Sequence, residues 1–241
     1  MRILAGTSGY SYKEWRGSFY PPDAKPENML RLYAARLGTV EINNTFYRMP
    51  SEQVLLGWAA QVPEGFSFVL KASRRITHQQ RMQGSGDTLA YLLQTSAVLG
   101  AKRGPLLFQF PPDFALDLPR LVAFLGSLPA GWPAAFEFRH DSWRDERVHE
   151  ALRARGAGLV VADTDAGDPP PVVATASFGY LRLRRARYGD GDLRAWLERI
   201  AGQPWERAYV FFKHEDEGSG PELAQRFVEL AAGRTGGPAV E

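Results

Sequence analysis

Cysteine is absent from the chain, which excludes a disulfide framework, a thiolate nucleophile, an iron–sulfur cluster and cysteine-ligated zinc. Histidine is scarce: His78, His140, His149 and His214 are the whole complement, and no two stand at the close spacing of a motif such as HExxH. A histidine-built metal centre is therefore not expected, and the sequence names no cofactor. No stretch approaches the roughly 20 apolar residues of a membrane-spanning helix. The opening MRILAGTSGYSY also lacks the apolar run of a secretion signal, so a cytoplasmic protein with no membrane partner is expected. An excess of one charge is missing too. The 29 basic and 27 acidic side chains leave +2, too balanced to indicate nucleic acid from the total alone.

What is present is the make-up of an ordinary folded chain, with 241 residues, 44% hydrophobic and 23% charged, long enough for one barrel or doubly wound domain. Short apolar or β-branched runs at 3–6, 39–47, 66–72, 105–110, 134–139, 158–163, 179–184 and 208–213 predict eight strands. Helical spacing separates most of them. One such stripe is Met29, Leu30, Tyr33, Ala34 and Leu37, closed by Gly38, a residue that tolerates the left-handed conformation common at helix ends. Alternation of this kind predicts parallel strands joined by right-handed crossovers, and eight repeats fit a (β/α)8 TIM barrel. The sixth crossover breaks the rhythm, because Pro169, Pro170 and Pro171 exclude an ordinary helix; an irregular connection is expected there. A single barrel domain over 1–232 followed by a C-terminal tail at 233–241 completes the organisation.

Barrel strands are buried on both faces, so charged residues inside these runs need a reason. In VEINNTFY, the two-residue period puts Glu41, Asn43 and Thr45 on one face; in AAFEFRHDSW, Glu137 and Arg139 share a face. Lys71, Gln109, Asp163, Arg182, Arg184 and Lys213 stand toward the ends of their own runs, and in a barrel those C-terminal ends form one mouth. Taken together the set points to a ligand site. The competing expectation is an internal network in which Glu41 and Glu137 pair with Arg139 or Arg182 for structure alone.

Six segments, GTSGYSYKEW, VEINNTFYRMP, FVLKASRRITH, LLFQFPP, FEFRHDSW and YVFFKHED, resemble the YecE-like family, also known as domain of unknown function 72, in order and across almost the whole chain. The resemblance implies a TIM barrel but no established activity. It carries over Glu41, Asn43, Thr45, Tyr47, Lys71, Gln109, Pro111, Glu137, Arg139, His140 and Trp143 as family-like positions without assigning their roles. Two strand ends depart from the pattern: LRLRR stands where histidine-glycine is common, and FFKHE where asparagines are common.

For chemistry, Lys71, Arg139, Arg182, Arg184 and Lys213 would make the mouth electropositive and suited to carboxylate or phosphate oxygens. The leading expectation is an enzyme, such as a hydrolase or phosphodiesterase, acting on an anionic, phosphate-bearing or nucleotide-like substrate. Glu41, Glu137 and His140 would be its catalytic groups; Asn43, Tyr47, Lys71, Gln109, Arg139, Trp143, Arg182 and Lys213 would bind substrate. Glu41 is the expected proton donor and Glu137, beside Arg139, the ionised partner. His140 is a proton shuttle in this reading or, more plainly, a loop residue capping the next helix. Tyr10, Tyr12, Trp15, Phe46, Tyr47 and Trp143 offer stacking or simple loop packing. Two alternatives remain. One is a carbohydrate-active enzyme using Glu41 and Glu137 as paired carboxylates. The other is a non-catalytic nucleic-acid-binding or repair-associated barrel in which Arg74, Arg75, Arg81, Arg185 and Arg187 contact phosphates. A magnesium-dependent variant would draw on Glu41, Glu137 and Asp163.

Overall fold

A computed structural model describes residues 1–213 and 218–235. Eight strands, β1 (Arg2–Ser8), β2 (Thr39–Ile42), β3 (Ser67–Lys71), β4 (Arg103–Gln109), β5 (Ala134–Glu137), β6 (Gly158–Asp163), β7 (Phe178–Leu183) and β8 (Arg207–Phe212), follow one another around a closed parallel barrel, with β8 pairing back onto β1. Around them run α1 (Pro26–Ala34), α2 (Glu52–Ala60), α3 (Gly86–Ala97), α4 (Leu118–Ser127), α5 (Glu146–Ala154), α6 (Asp190–Ala201) and α7 (Ser219–Thr235). The helix starts follow their sequences: Pro26 opens α1, where a missing N–H costs nothing, and the Asp117 and Asp145 carboxylates accept backbone N–H groups at the starts of α4 and α5. α7 continues past Gly233, the expected start of the tail, to Thr235.

The (β/α)8 expectation holds, and so does its irregular sixth unit, since no α-helix lies between Asp163 and Phe178. Hydrogen bonds replace it. The Thr175 hydroxyl accepts from the Leu159 N–H and donates to the Ala157 carbonyl at 2.8 and 2.7 Å, and the Pro170 carbonyl accepts from the Arg199 guanidinium.

β2 and β5 end two or more residues before their apolar runs do. β2 stops at Ile42 because Asn43 turns into helical backbone and Asn44–Phe46 make a 3-10 turn; β5 stops at Glu137. Pairing between β5 and β6 is brief, confined to Ala135 with Gly158 and Phe136 with Leu159.

The apolar residues divide into two layers. Leu4, Val69, Leu107, Ala135, Val160, Phe178, Tyr180, Tyr209 and Phe211 fill the barrel interior, and a larger cluster packs the helices against its outside. Gly6 lets β1 approach β2. A β-carbon there would lie 2.1 Å from the Thr39 carbonyl oxygen, a backbone atom that cannot swing aside. Gly6→Ala is expected to lower the unfolding free energy by roughly 1–3 kcal/mol, the usual range for overpacking, in urea denaturation; an unchanged midpoint would show that the β1–β2 seam yields freely.

Candidate functional site: the upper layer of the barrel

Above the apolar interior the side chains change character. The two-residue strand period carries Glu41, Lys71, Gln109, Glu137 and Arg182 inward at the C-terminal ends of β2, β3, β4, β5 and β7. Arg182 is their centre. Its Nη1 donates to Glu137 Oε2 at 2.6 Å and its Nη2 to Glu41 Oε1 at 2.8 Å, with all three side chains at most 3% exposed. Ser8 Oγ and Tyr180 OH complete Glu41 at 2.7 and 2.6 Å. Gln109 Nε2 and Arg139 Nε complete Glu137 at 2.8 and 3.1 Å. All four carboxylate oxygens are thus occupied by donors from this chain.

These contacts fix the protonation states. Burial pushes the Glu41 carboxyl up, but the Arg182 charge and the Tyr180, Ser8 and Arg182 hydrogen bonds outweigh it and hold the group below its ordinary value. Burial likewise opposes ionisation of Glu137, yet Arg182, Arg139 and Gln109 bring it down to about 2. The Tyr180 phenol moves up, through burial and the Glu41 charge, and stays a donor. The expected division into a protonated Glu41 and an ionised Glu137 therefore does not hold: one guanidinium serves both, so both remain ionised. A proton-donor role for Glu41 does not fit this geometry.

Charge in the layer is not neutral. Arg182 and Arg139 balance the two glutamates, while Lys71 and Arg184 are surplus cations, neither with an ion-pair partner among the described residues. Lys71 is half-buried, its Nζ 4.2 Å from the centre of the Phe46 ring. Burial and the Arg182 charge lower the amine to about 8, against the opposing pull of Glu41 and Glu137, and Arg139 adds to the lowering. Arg184, two residues beyond Arg182, is pressed downward by burial and by Arg182, although an arginine stays charged regardless.

A histidine joins this group without having been expected. His78 lies in a π-helical turn, Arg75–Gln79, that follows β3; its ring meets Phe46 edge-on at 4.9 Å, and its Nδ1 lies 2.9 Å from Thr77 Oγ1. Burial, with Lys71 and Arg139, lowers its pKa, so the imidazole is mainly neutral near pH 7. Tyr180 was also missed, although the two-residue period from Arg182 places it on the inward face. No comparable signal announces His78, because a π-helical turn has no apolar repeat.

Several expected site residues lie elsewhere. Asn43 and Thr45 do not continue the Glu41 face, because β2 has already ended. The Thr45 hydroxyl lies between the Ile42 and Lys71 carbonyls at 2.9 and 2.7 Å, and Asn43 lines a separate recess of about 200 Å³ with Tyr10, Tyr12 and Trp58. Tyr47 is 72% exposed and meets the Phe46 ring edge-on at 5.0 Å. Trp143 is 2% exposed, stacked on Phe138 at 4.1 Å, and its indole N–H donates to the Phe114 carbonyl; it packs a loop. His140 caps the Asp141–Trp143 turn by accepting from the Ser142 N–H through Nδ1. Asp163, one residue out of step with the inward face, takes Arg185, Tyr188 and Trp196 as partners. It therefore cannot join Glu41 and Glu137 around a magnesium ion, and no cluster of three metal-ligating side chains exists among the described residues. Lys213 is exposed at the end of β8; His214 lies outside the described residues. A recess of about 180 Å³ lies between the β5–α5 loop and the sixth crossover, lined by Arg139, His140, Trp143, His149, Leu159 and Pro170 among others.

The family described as "Protein of unknown function DUF72" matches residues 4–240. The chain belongs to this family. Its DUF72 relatives include the UPF0759 protein YecE of Escherichia coli strain K12, 26% identical with 83% of this chain and 84% of that protein covered. The UPF0759 protein YunF of Bacillus subtilis strain 168 is 24% identical, with 89% and 79% covered. A DUF72 family protein from Thermotoga maritima has a crystal structure that overlays 96% of this chain and 100% of its own at a TM-score of 0.84 and 25% identity. DUF72 membership accounts for the barrel without assigning it a reaction. No helix among the described residues of this DUF72 chain is long and apolar enough to cross a membrane.

Proposed function

We propose that the barrel mouth binds a small anionic molecule, carrying phosphate or carboxylate, and acts on it as an enzyme through Lys71 and His78 rather than through the glutamates. The observation that supports this is the surplus of positive charge. Lys71 and Arg184 remain after the glutamates are matched, and Arg139, already oriented by Glu137, stands among them. The buried Glu41–Arg182–Glu137 bridge supplies a floor, and Arg139, held by Glu137 at 3.1 Å, is oriented before a ligand arrives; preorganised charge lowers the cost of recognising an anion.

The other readings lose ground on particular contacts. A glycosidase needs one carboxyl free to give a proton, whereas each here is ionised and fully hydrogen-bonded. Nucleic-acid binding through the basic loops loses Arg81 to Asp113 at 2.5 Å and Arg185 to Asp163 at 2.8 Å, leaving Arg74, Arg75 and Arg187 exposed.

Calorimetry with inorganic phosphate and with glycerol phosphate tests the reading. Joint replacement of Arg139 and Arg184 by alanine is expected to weaken binding roughly 10-fold or more, the scale of one charge-assisted hydrogen bond. Unaltered affinity in the double variant would reject the mouth as the anion site.

A further inference from the structure

Lys71 stands out within this layer because its amine is unengaged. Each of the other inward polar groups at its level is taken: Glu41 and Glu137 by Arg182, Gln109 by Glu137, Arg139 by Glu137. The Lys71 amine has no hydrogen-bond acceptor and no ion-pair partner among the described residues; it lies over the face of Phe46. Its backbone is pinned, since its carbonyl accepts from the Thr45 hydroxyl at 2.7 Å. A half-buried amine on a fixed strand end, roofed by an aromatic ring and ringed by engaged cations, has the setting in which lysine serves as a nucleophile.

We infer that Lys71 forms an imine with the carbonyl group of a small anionic aldehyde or keto acid, with Arg139 and Arg184 holding the anionic end. The inference rests on the anion-binding reading of the mouth and adds the reacting group of the ligand. In the step, the Lys71 nitrogen lone pair attacks the carbonyl carbon, a C–N bond forms, and the C=O π pair moves to oxygen, which is protonated to give a carbinolamine. The hydroxyl then takes up a proton and leaves as water with the C–O electron pair while the nitrogen lone pair forms the C=N bond, and the iminium so formed gives up its remaining N–H proton to leave the imine. No oxidant or reductant is consumed. His78, which shares the Phe46 ring with Lys71 and whose Nε2 has no partner among the described residues, is the group placed to carry the proton from nitrogen to the departing oxygen.

The supply of free amine agrees with this. The charged groups facing Lys71 are Glu41 on β2, Glu137 and Arg139 at the end of β5, and Arg182 on β7, with His78 from the turn after β3. Their balance with burial leaves the amine at about 8, so near neutral pH it is deprotonated on the order of 100 times more often than an ordinary lysine.

The test is reductive trapping on the intact protein. The chain is incubated with glyoxylate, an anionic aldehyde, reduced with borohydride, digested and mapped by mass spectrometry. Five lysines, Lys13, Lys25, Lys71, Lys102 and Lys213, make the map unambiguous. Labelling of Lys71 roughly 10-fold or more faster than Lys13 and Lys25 near neutral pH, rising through about pH 8 and lost in Lys71→Arg, is the expected result; the gain in free amine exceeds the loss of intrinsic nucleophilicity. Equal labelling of all five lysines, or none at Lys71, overturns the imine, and because mapping uses the unmodified protein this outcome does not depend on any variant folding. Phosphate competition separates the two readings. If phosphate binds by calorimetry but Lys71 takes no adduct, the imine fails alone. If Lys71 is labelled equally by glyoxylate and by neutral acetaldehyde, and phosphate does not slow it, the anion site fails and with it the preference for an anionic carbonyl compound.

Discussion

Arg182→Leu is expected to be the most damaging single substitution in the barrel, lowering the unfolding free energy by about 3–5 kcal/mol, the range for removing one partner of a buried ion pair. The leucine would leave Glu41 and Glu137, at 0% and 2% exposure, as two carboxylates without their common cation. Arg139 would still reach Glu137, but Glu41 would keep only Ser8 and Tyr180. A surface control sets the scale. Arg147 meets Asp145 at 2.6 Å with its side chain 64% exposed, and water and salt screen so exposed a pair almost completely, so Arg147→Leu should barely move the urea midpoint. The triple replacement of Glu41, Arg182 and Glu137 by apolar residues of similar volume is expected to recover much of the loss, because the single variant suffers from uncompensated charge rather than from missing attraction. A cost for Arg182→Leu no larger than that for Arg147→Leu would mean that water enters the upper barrel and solvates the glutamates.

Acid is expected to dismantle the same layer. Glu137 ionises at about 2 in the folded chain against an ordinary value of 4.5. A carboxyl whose pKa is depressed by folding contributes its stability above the unfolded value and loses it as the pH falls through the folded one. Its contribution is thus complete above about pH 5, declines from about 4.5 and is gone near 2; the gap corresponds to about 3 kcal/mol. Glu41, also held below its ordinary value, acts in the same direction. Unfolding free energies measured from neutral pH down to about pH 2 should therefore fall along a curve that is shallower in Glu137→Gln, whatever the starting stability of that variant. Parallel curves for the two proteins would show that Glu137 is not the titrating group.

Much of the barrel was legible in the sequence because buried parallel strands leave a local signature. Eight apolar runs coincide with eight strands, and three prolines announced the crossover without a helix. The ends were less readable. VEINNTFY continues a β-like pattern as far as Tyr47, yet β2 runs only from Thr39 to Ile42 and the chain turns at Asn43. Propensity along the chain cannot register that the Thr45 hydroxyl has carbonyl partners at Ile42 and at Lys71, which is 26 residues away.

For the site, position near the strand ends drew attention to Glu41, Lys71, Gln109, Glu137 and Arg182, which barrel closure brings into one layer, but equally to Asp163, which faces away toward Arg185, Tyr188 and Trp196, and to the exposed Lys213. Which of them are engaged and which are free was decided only by the tertiary structure. Arg182 is 141 residues from Glu41 and 45 from Glu137, and a guanidinium satisfies whichever carboxylates the closed barrel brings within reach of its two ends. That single bridge turns the expected acid and base into a buried scaffold. Free positive charge is left to Lys71 and Arg184, and His78, which no repeat in the sequence marked, is set against the ring that Lys71 faces. Local pattern determines fold and direction; pairing among ionisable groups depends on distances in space, which a one-dimensional pattern does not contain.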